Sequence, residues 1–437
     1  MGLIRPIPCH NRVMPNTQRE DFLRFLIFLG YVISLSIATW WISGTEFLIT
    51  ELEFGFGPEI DRILSGQEMH VAARMPVVPY LLVTLSLGIN GHLALLIAKN
   101  LLVQSLLFIV LRSWWQIREL RNVSSVLFLY LLLFPQLGRH GFTLIPEEGY
   151  LIALVAFLFH GVIKAPEFQK LLDFLPYALG CAIAFLTKGS MLLLAPLFCL
   201  LFFLRTRNTK VLILFVATVG TAMSLWGAVN LEKTGRFAVT TVYTGYEMWK
   251  GNNPQTLDVY PETTLDRLSN KVPQILEGED PWEWSRRLQS EVYTYWIEHP
   301  LVTAKLFAVR FYKTFLAVTA VASGDSPRLE VGQARDLLKT VGVVFMIAFR
   351  CLLWLAILHA VWTLYRTQTS GEIRTSAICY LCFIVGFSAP FLIAFSYERQ
   401  LMPMVVPTVI YLLHMLSHER VFQNIHSPNT GLKSSMS

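Results

Sequence analysis

The chain has 437 residues, of which 54% are hydrophobic, 13% aromatic and only 15% charged, with a formal net charge of +6 and a mean hydropathy of +0.50. A soluble domain carries roughly 25% charged residues, so a water-soluble fold is excluded. Apolar runs of about 20 residues recur from end to end and predict an all-α polytopic membrane protein. The positive charge sits in short segments between those runs, and no nucleic-acid partner is expected.

Residues 1–21 are polar and basic, with Arg5, Arg12 and Arg19, and read as a cytoplasmic tail without a small-residue cleavage site. Residues 22–43 form the first span, anchored by Arg24, Trp40 and Trp41. The first outer loop follows over 44–89. Its apolar part, 77–88, is short and flanked by Pro76 and Pro79, which predicts an interfacial helix. A span at 90–112 leads to a basic segment. The basic segments 112–121, 164–170, 205–210 and 366–374 are placed inside. That fixes further spans near 122–137, 149–163, 172–187, 190–204, 211–231, 340–365, 375–396 and 402–418.

The region 232–322 is then a second large outer segment. Its end, 301–322, is apolar but carries Lys305, Arg310 and Lys313 at helical spacing, which fits a surface-lying helix or a crossing pair. The tail after 419 is polar and expected to be disordered. The whole chain reads as one domain of about ten to twelve spans in a cell (inner or plasma) membrane, with polar loops gathered on the outer (periplasmic or extracellular) face. The six cysteines lie almost entirely in apolar runs, so neither a disulfide nor a zinc site is expected from them.

Candidate chemistry falls on the outer loops. Glu51 and Glu53 follow the first span in an apolar setting, with Glu59 and Asp61 next. Burial raises a carboxyl pKa toward general-base use, and solvated loop acids are the plain alternative. Glu147 and Glu148 open a span after a proline. They either complement the helix dipole or face a sugar or acceptor across a cavity. Arg74, Lys188 and Arg399 stand at outer span ends. They either snorkel to lipid phosphates or form a pocket for one phosphate. His140, beside Arg139, is a further candidate for that role. Trp249, Asn252 and Asn253 sit in a Gly-Asn-Asn-Pro turn that also suits sugar faces and hydroxyls.

These residues carry a resemblance. Glu51-Leu-Glu53-Phe54 with the following Leu64-Ser65-Gly66, the segment Arg74 to Pro79, Glu148, Thr187-Lys188 through Pro196, Trp249 to Pro254, and Glu398-Arg399 before Pro403 occur in order along the chain. In this the chain resembles the membrane glycosyltransferases of the GT-C superfamily, in their dolichyl-phosphate-mannose-mannosyltransferase-like branch, which includes the lipid A aminoarabinose transferases. It departs from that pattern in having Glu51 and Glu53 where the branch usually has Asp, and Phe54 for the usual Tyr.

The resemblance implies a GT-C-like helical bundle and a polyprenyl-phosphate-linked sugar donor used on the outer face. It also implies a glycan, lipid or protein acceptor, inversion at the anomeric carbon, and no cofactor. Glu51 is the expected base, with Glu53 next. Glu148, Glu147 and His140 are sugar or acceptor contacts, together with Trp249, Asn252 and Asn253. Arg74, Lys188 and Arg399 are the expected phosphate partners. The readings from other classes are a transporter or flippase of lipid-linked sugars and a polysaccharide ligase.

The topology has a direct test. Single cysteines placed at Ser65 and Ser269 in a cysteine-free background should both react with an impermeant thiol reagent in intact cells. Labelling of only one breaks the arrangement.

Overall fold

The structure is a computed structural model. It describes residues 17–51, 57–67, 74–89, 91–115, 147–259, 265–317, 332–366, 370–394 and 398–426, with a few isolated positions between them. Some helical side chains also lie outside that description. Among the described residues every regular element is helical. In chain order the principal helices are α1 (Thr17–Glu51), α2 (Gly57–Leu64), α3 (Val77–Ser86), α4 (His92–Trp115), α5 (Glu147–Lys164), α6 (Leu175–Thr187) and α7 (Met191–Thr206). They continue with α8 (Thr209–Thr234), α9 (Tyr243–Gly251), α10 (Pro281–Glu298), α11 (Pro300–Phe311), α12 (Gly332–Tyr365), α13 (Gly371–Ile393) and α14 (Val405–His426).

Among the described residues, five segments are long and apolar enough to cross a membrane: Leu93–Trp114, Gly149–Glu167, Thr209–Thr234, Thr340–Tyr365 and Gly371–Ile393. Shorter apolar helices lie at Leu171–Thr187, Met191–Thr206 and Met402–His418. The first helix overshoots the expected boundary at residue 43. It runs on to Glu51, because Phe47, Leu48 and Ile49 continue the apolar pattern and no proline intervenes before Pro58. The short helix α3 has 10 residues, about 15 Å of axis against a hydrocarbon core of about 30 Å. It buries Val78, Leu82 and Val83 against Leu95 and Leu96 of α4 and Tyr150 of α5. It packs on the bundle along that face.

Helix α5 is the centre. Its apolar window is 89% buried, as expected of a helix that is hydrophobic all round. It packs on α4, α6, α7 and α14. Phe157 stacks on Tyr177 of α6 at 4.5 Å, and Phe159 packs on Phe383 of α13 at 5.0 Å. The end of α5 at Glu147 is the loop end, where α9, α10 and α11 gather. The end at Lys164 is the opposite end.

Three buried arginines serve helix ends, where the last carbonyls have no partner within the helix. Arg205 donates to the Ile163 carbonyl at the end of α5, at 3.2 Å, and to Glu372 of α13. Arg350 of α12 donates to the carbonyls of Lys313, Thr314 and Ala317, around the π-helical turn Tyr312–Leu316 that follows α11. Arg310 of α11 donates to the Leu392 and Ile393 carbonyls at the end of α13, at 3.0 and 2.9 Å. It also reaches the Gly251 carbonyl and, at 2.8 Å, Oδ1 of Asn252. Arg310 is only 1% exposed, so it does not serve a surface-lying face of 301–322. The sequence spacing placed it on a polar stripe, whereas the carbonyls at the end of α13 draw it inward.

The loop-end layer is compact. Asp280 caps α10 through the Trp282 and Glu283 amides at 2.6 and 3.2 Å. Two glycines allow close backbone approach. A Cβ on Gly245 would lie 2.1 Å from the Ser285 carbonyl oxygen, and one on Gly251 would lie 1.8 Å from that of Ala394.

The Arg310 cluster predicts a large effect. Arg310→Met leaves several buried carbonyls unpaired, at about 1–3 kcal/mol each. Its melting temperature in detergent should fall sharply, and the 243–254 segment should become open to protease. Unchanged melting would mean that Arg310 does not hold α9 to the bundle.

Candidate functional site at the loop end

The sequence-predicted residues divide into three groups. Glu53 and His140 lie outside the described residues. Glu51 closes α1, Glu148 is the second residue of α5, and Arg399 lies in the helical turn Glu398–Leu401. The side chains of these three are also outside the description. Arg74, Glu147, Lys188, Trp249, Asn252 and Asn253 are described in full.

Two of them meet. Lys188, just past the end of α6, has its ammonium 3.9 Å from a carboxylate oxygen of Glu147 at the start of α5, and both side chains are mostly buried. Arg74 precedes α3 and lies over the ring of Tyr243 on α9, 5.3 Å from its centroid. The loop layer and the bundle therefore converge on these cations.

A groove lies close to both in the chain. A cavity of about 530 Å³ runs between α6 and α8, lined by Leu179, Ala182 and Leu186 on one side and by Ala217, Leu225 and Val229 on the other. Its lining positions on α8, from 217 to 229, cover about 18 Å of helix axis. Thr218 also lines it, but its hydroxyl donates to the Leu214 carbonyl at 2.7 Å and leaves the wall apolar. Pro76 closes the loop end of the groove. Arg74 and Lys188 each lie two residues from a lining residue, Pro76 and Leu186. Leu179 and Leu225 keep the rim exposed.

The Gly-Asn-Asn-Pro element has a task in the fold. The Asn252 amide donates to the Met248 and Ile393 carbonyls at 2.8 and 3.1 Å, and its oxygen accepts from Trp296 and Arg310 at 2.9 and 2.8 Å. The Asn253 amide donates to the Trp249 and Lys250 carbonyls, and its oxygen accepts from the Gln255 amide. Both asparagines are buried. The Asn252 amide is occupied in closing α9 onto the bundle, and the Asn253 amide in closing the turn that ends α9, so both serve the fold. The Trp249 indole donates to Glu291 at 2.9 Å.

Two further residues stand out: Glu59, named in the sequence without a role, and Lys99, which was not nominated. Glu59, on α2, is 6% exposed, whereas its neighbour Asp61 is exposed. It is the acid of the first loop that combines a described side chain with burial. Lys99 lies within the apolar run of α4 and is fully buried. Its ammonium donates to Oδ1 of Asn100 at 3.0 Å and sits 4.6 Å from the ring centroid of Tyr150. The Asn100 amide in turn donates to Ser36 of α1 at 2.9 Å. An ionisable residue inside an apolar span was the available signal. Tyr150 follows Glu147 by one turn of α5, so Lys188, Glu147, Tyr150 and Lys99 form one polar strip at the loop end.

Electrostatics also hold the loop layer. Arg287 grips both oxygens of Glu279 at 2.8 and 2.9 Å, and the Leu276 amide donates to the same carboxylate at 2.9 Å. Chiefly through Arg287, and then through that amide, the carboxyl is held down to about 2 from an ordinary 4.5. A depressed carboxyl stabilises the fold above the unfolded value and loses that contribution as pH falls through the folded one. The Arg287 Nε–H resonance in a ¹⁵N-arginine spectrum should therefore hold steady above pH about 4.5 and shift as pH falls toward 2. In Glu279→Gln it should lose this dependence.

No family model, curated protein or solved structure gives a significant match to this chain.

Proposed function

We propose that the chain is a GT-C-like polytopic membrane glycosyltransferase of about ten to twelve spans. It moves a sugar from a polyprenyl-phosphate-linked donor to a glycan, lipid or protein acceptor on the outer face of the cell membrane. The observation that carries this reading is the apolar groove between α6 and α8, whose lining residues Pro76 and Leu186 each stand two positions from a cation, Arg74 and Lys188. An apolar groove with cations close by in the chain suits a lipid phosphate. The ordered motifs of the sequence support the same class.

The chemistry follows from that placement. The acceptor hydroxyl attacks the anomeric carbon, and the bond to the phosphate oxygen breaks. A carboxylate takes the acceptor proton, and the lipid phosphate leaves as an anion. Arg74 and Lys188, with Arg399, stabilise the charge that develops on it, so no general acid is required for the leaving group. Glu147 holds the Lys188 ammonium until the phosphate replaces it. Glu51 is the proposed base. Glu59 is its rival, because it is a buried acid of the same loop.

A purified transfer assay with a lipid-linked donor tests the reading. Glu51→Gln should lower turnover by about 10²–10⁴ while donor binding persists. Lys188→Ala and the groove-filling Ala182→Trp should weaken donor binding instead. Loss of turnover in Glu59→Gln with Glu51→Gln active would move the base to α2. Movement of lipid-linked sugar across vesicles without transfer would replace the transferase by a flippase.

A further inference from the structure

At the end of the bundle opposite the loops, side chains from two helices converge. Glu372 is the second residue of α13, and His414 and His418 lie one turn apart on the same face of α14. Each offers one ligand atom, and these atoms lie within 4.8 Å of one another. Nε2 of His418 stands 3.8 Å from Oε1 of Glu372, and the two imidazole centroids are 4.6 Å apart. We propose that Glu372, His414 and His418 bind one borderline divalent transition-metal ion of the zinc type, which clamps α13 to α14 at this end.

The donor set selects the ion. Two imidazoles and one carboxylate suit zinc and its neighbours, whereas magnesium and calcium prefer oxygen ligands throughout. Three protein ligands leave a fourth position for water. Glu372 and His418 are partly exposed, so their side chains have room to turn toward a shared ion.

The site is prepared from behind. The buried Ser376 hydroxyl donates to the Glu372 carbonyl at 3.1 Å, so toward the His414 ring, 3.0 Å away, it serves as the acceptor. That contact takes the ring N–H and leaves the other ring nitrogen with its lone pair, the arrangement typical of a metal-ligating histidine. His414 is buried and cannot turn freely to solvent. Arg205 donates to Oε1 of Glu372 at 3.2 Å, which orients the carboxylate and leaves its second oxygen for the ion. Lys164 pairs with Glu167 at 2.7 Å nearby. Glu372 and Glu167 offset Arg205 and Lys164 in formal charge.

The sequence analysis expected no zinc site, because it weighed the cysteines. These donors are two histidines and a glutamate, brought together only when α13 packs on α14. The site does not depend on the transferase reading, since it lies at the far end of the bundle.

The test uses the full chain in detergent, purified without a polyhistidine tag. After chelation and dialysis it is equilibrated with zinc chloride, desalted, and its metal measured by elemental analysis. The expected result is one zinc per chain, with a rise in melting temperature on addition of zinc. His418→Gln and Glu372→Gln, both at partly exposed positions, should lose the zinc and the thermal shift. Ser376→Ala keeps all three ligands and should weaken zinc binding by about 10–100-fold through loss of the outer partner. Cobalt in place of zinc should give the strong visible absorption of a four-coordinate site. No retained zinc in the wild type, or equal retention in His418→Gln and Glu372→Gln, overturns the proposal.

Discussion

A guanidinium buried at the junction of three chain segments governs this molecule. Arg310 sits where α13 ends, where α9 ends and where α11 turns toward the bundle. Helix ends expose carbonyl oxygens that carry the negative pole of the helix dipole. One fixed, always-charged side chain satisfies several of them at once. The loop-end layer is thereby fastened to the bundle through backbone atoms that no substitution elsewhere removes. Arg205 and Arg350 repeat the device at the opposite end and beside the π-helical turn.

The consequence for the candidate site is positional. Arg74 lies over Tyr243, and Tyr243 opens α9, whose far end Arg310 holds. Lys188 and Glu147 belong to α6 and α5, which pack directly on each other. The two cations are therefore set by different parts of the chain, one by the loop layer and one by the bundle.

Much of the fold was legible as apolar length. The helices α4, α5, α8, α12 and α13 stand where apolar runs of about 20 residues predicted them. The short run at 77–88 was legible as a short helix, and Pro76 marked its start. The end of α1 was not, because polar Thr45 and Glu46 masked the continuing helix. At the site, Lys188 and Glu147 were legible as charges at span ends, and they meet. The link that Asn252 makes to the bundle was not legible, since its partners, Ile393, Trp296 and Arg310, are distant in sequence. Lys99 was hidden for the opposite reason. A single charge in an apolar run barely alters hydropathy, and its meaning came from Tyr150 and Asn100 beside it.

The exposed rim of the groove between α6 and α8 carries a kinetic consequence. A ligand that enters past Leu179 and Leu225 comes from the side, by diffusion in two dimensions. Its occupancy follows its mole fraction among the surrounding lipids, not its molarity in water. Every abundant bilayer lipid then competes for the same slot. A narrow wall of alanines and leucines admits one slender chain more readily than a paired set of acyl tails. Saturation curves for such a protein shift with the amount of carrier lipid or detergent at constant ligand, and surface dilution becomes the natural variable for its kinetics.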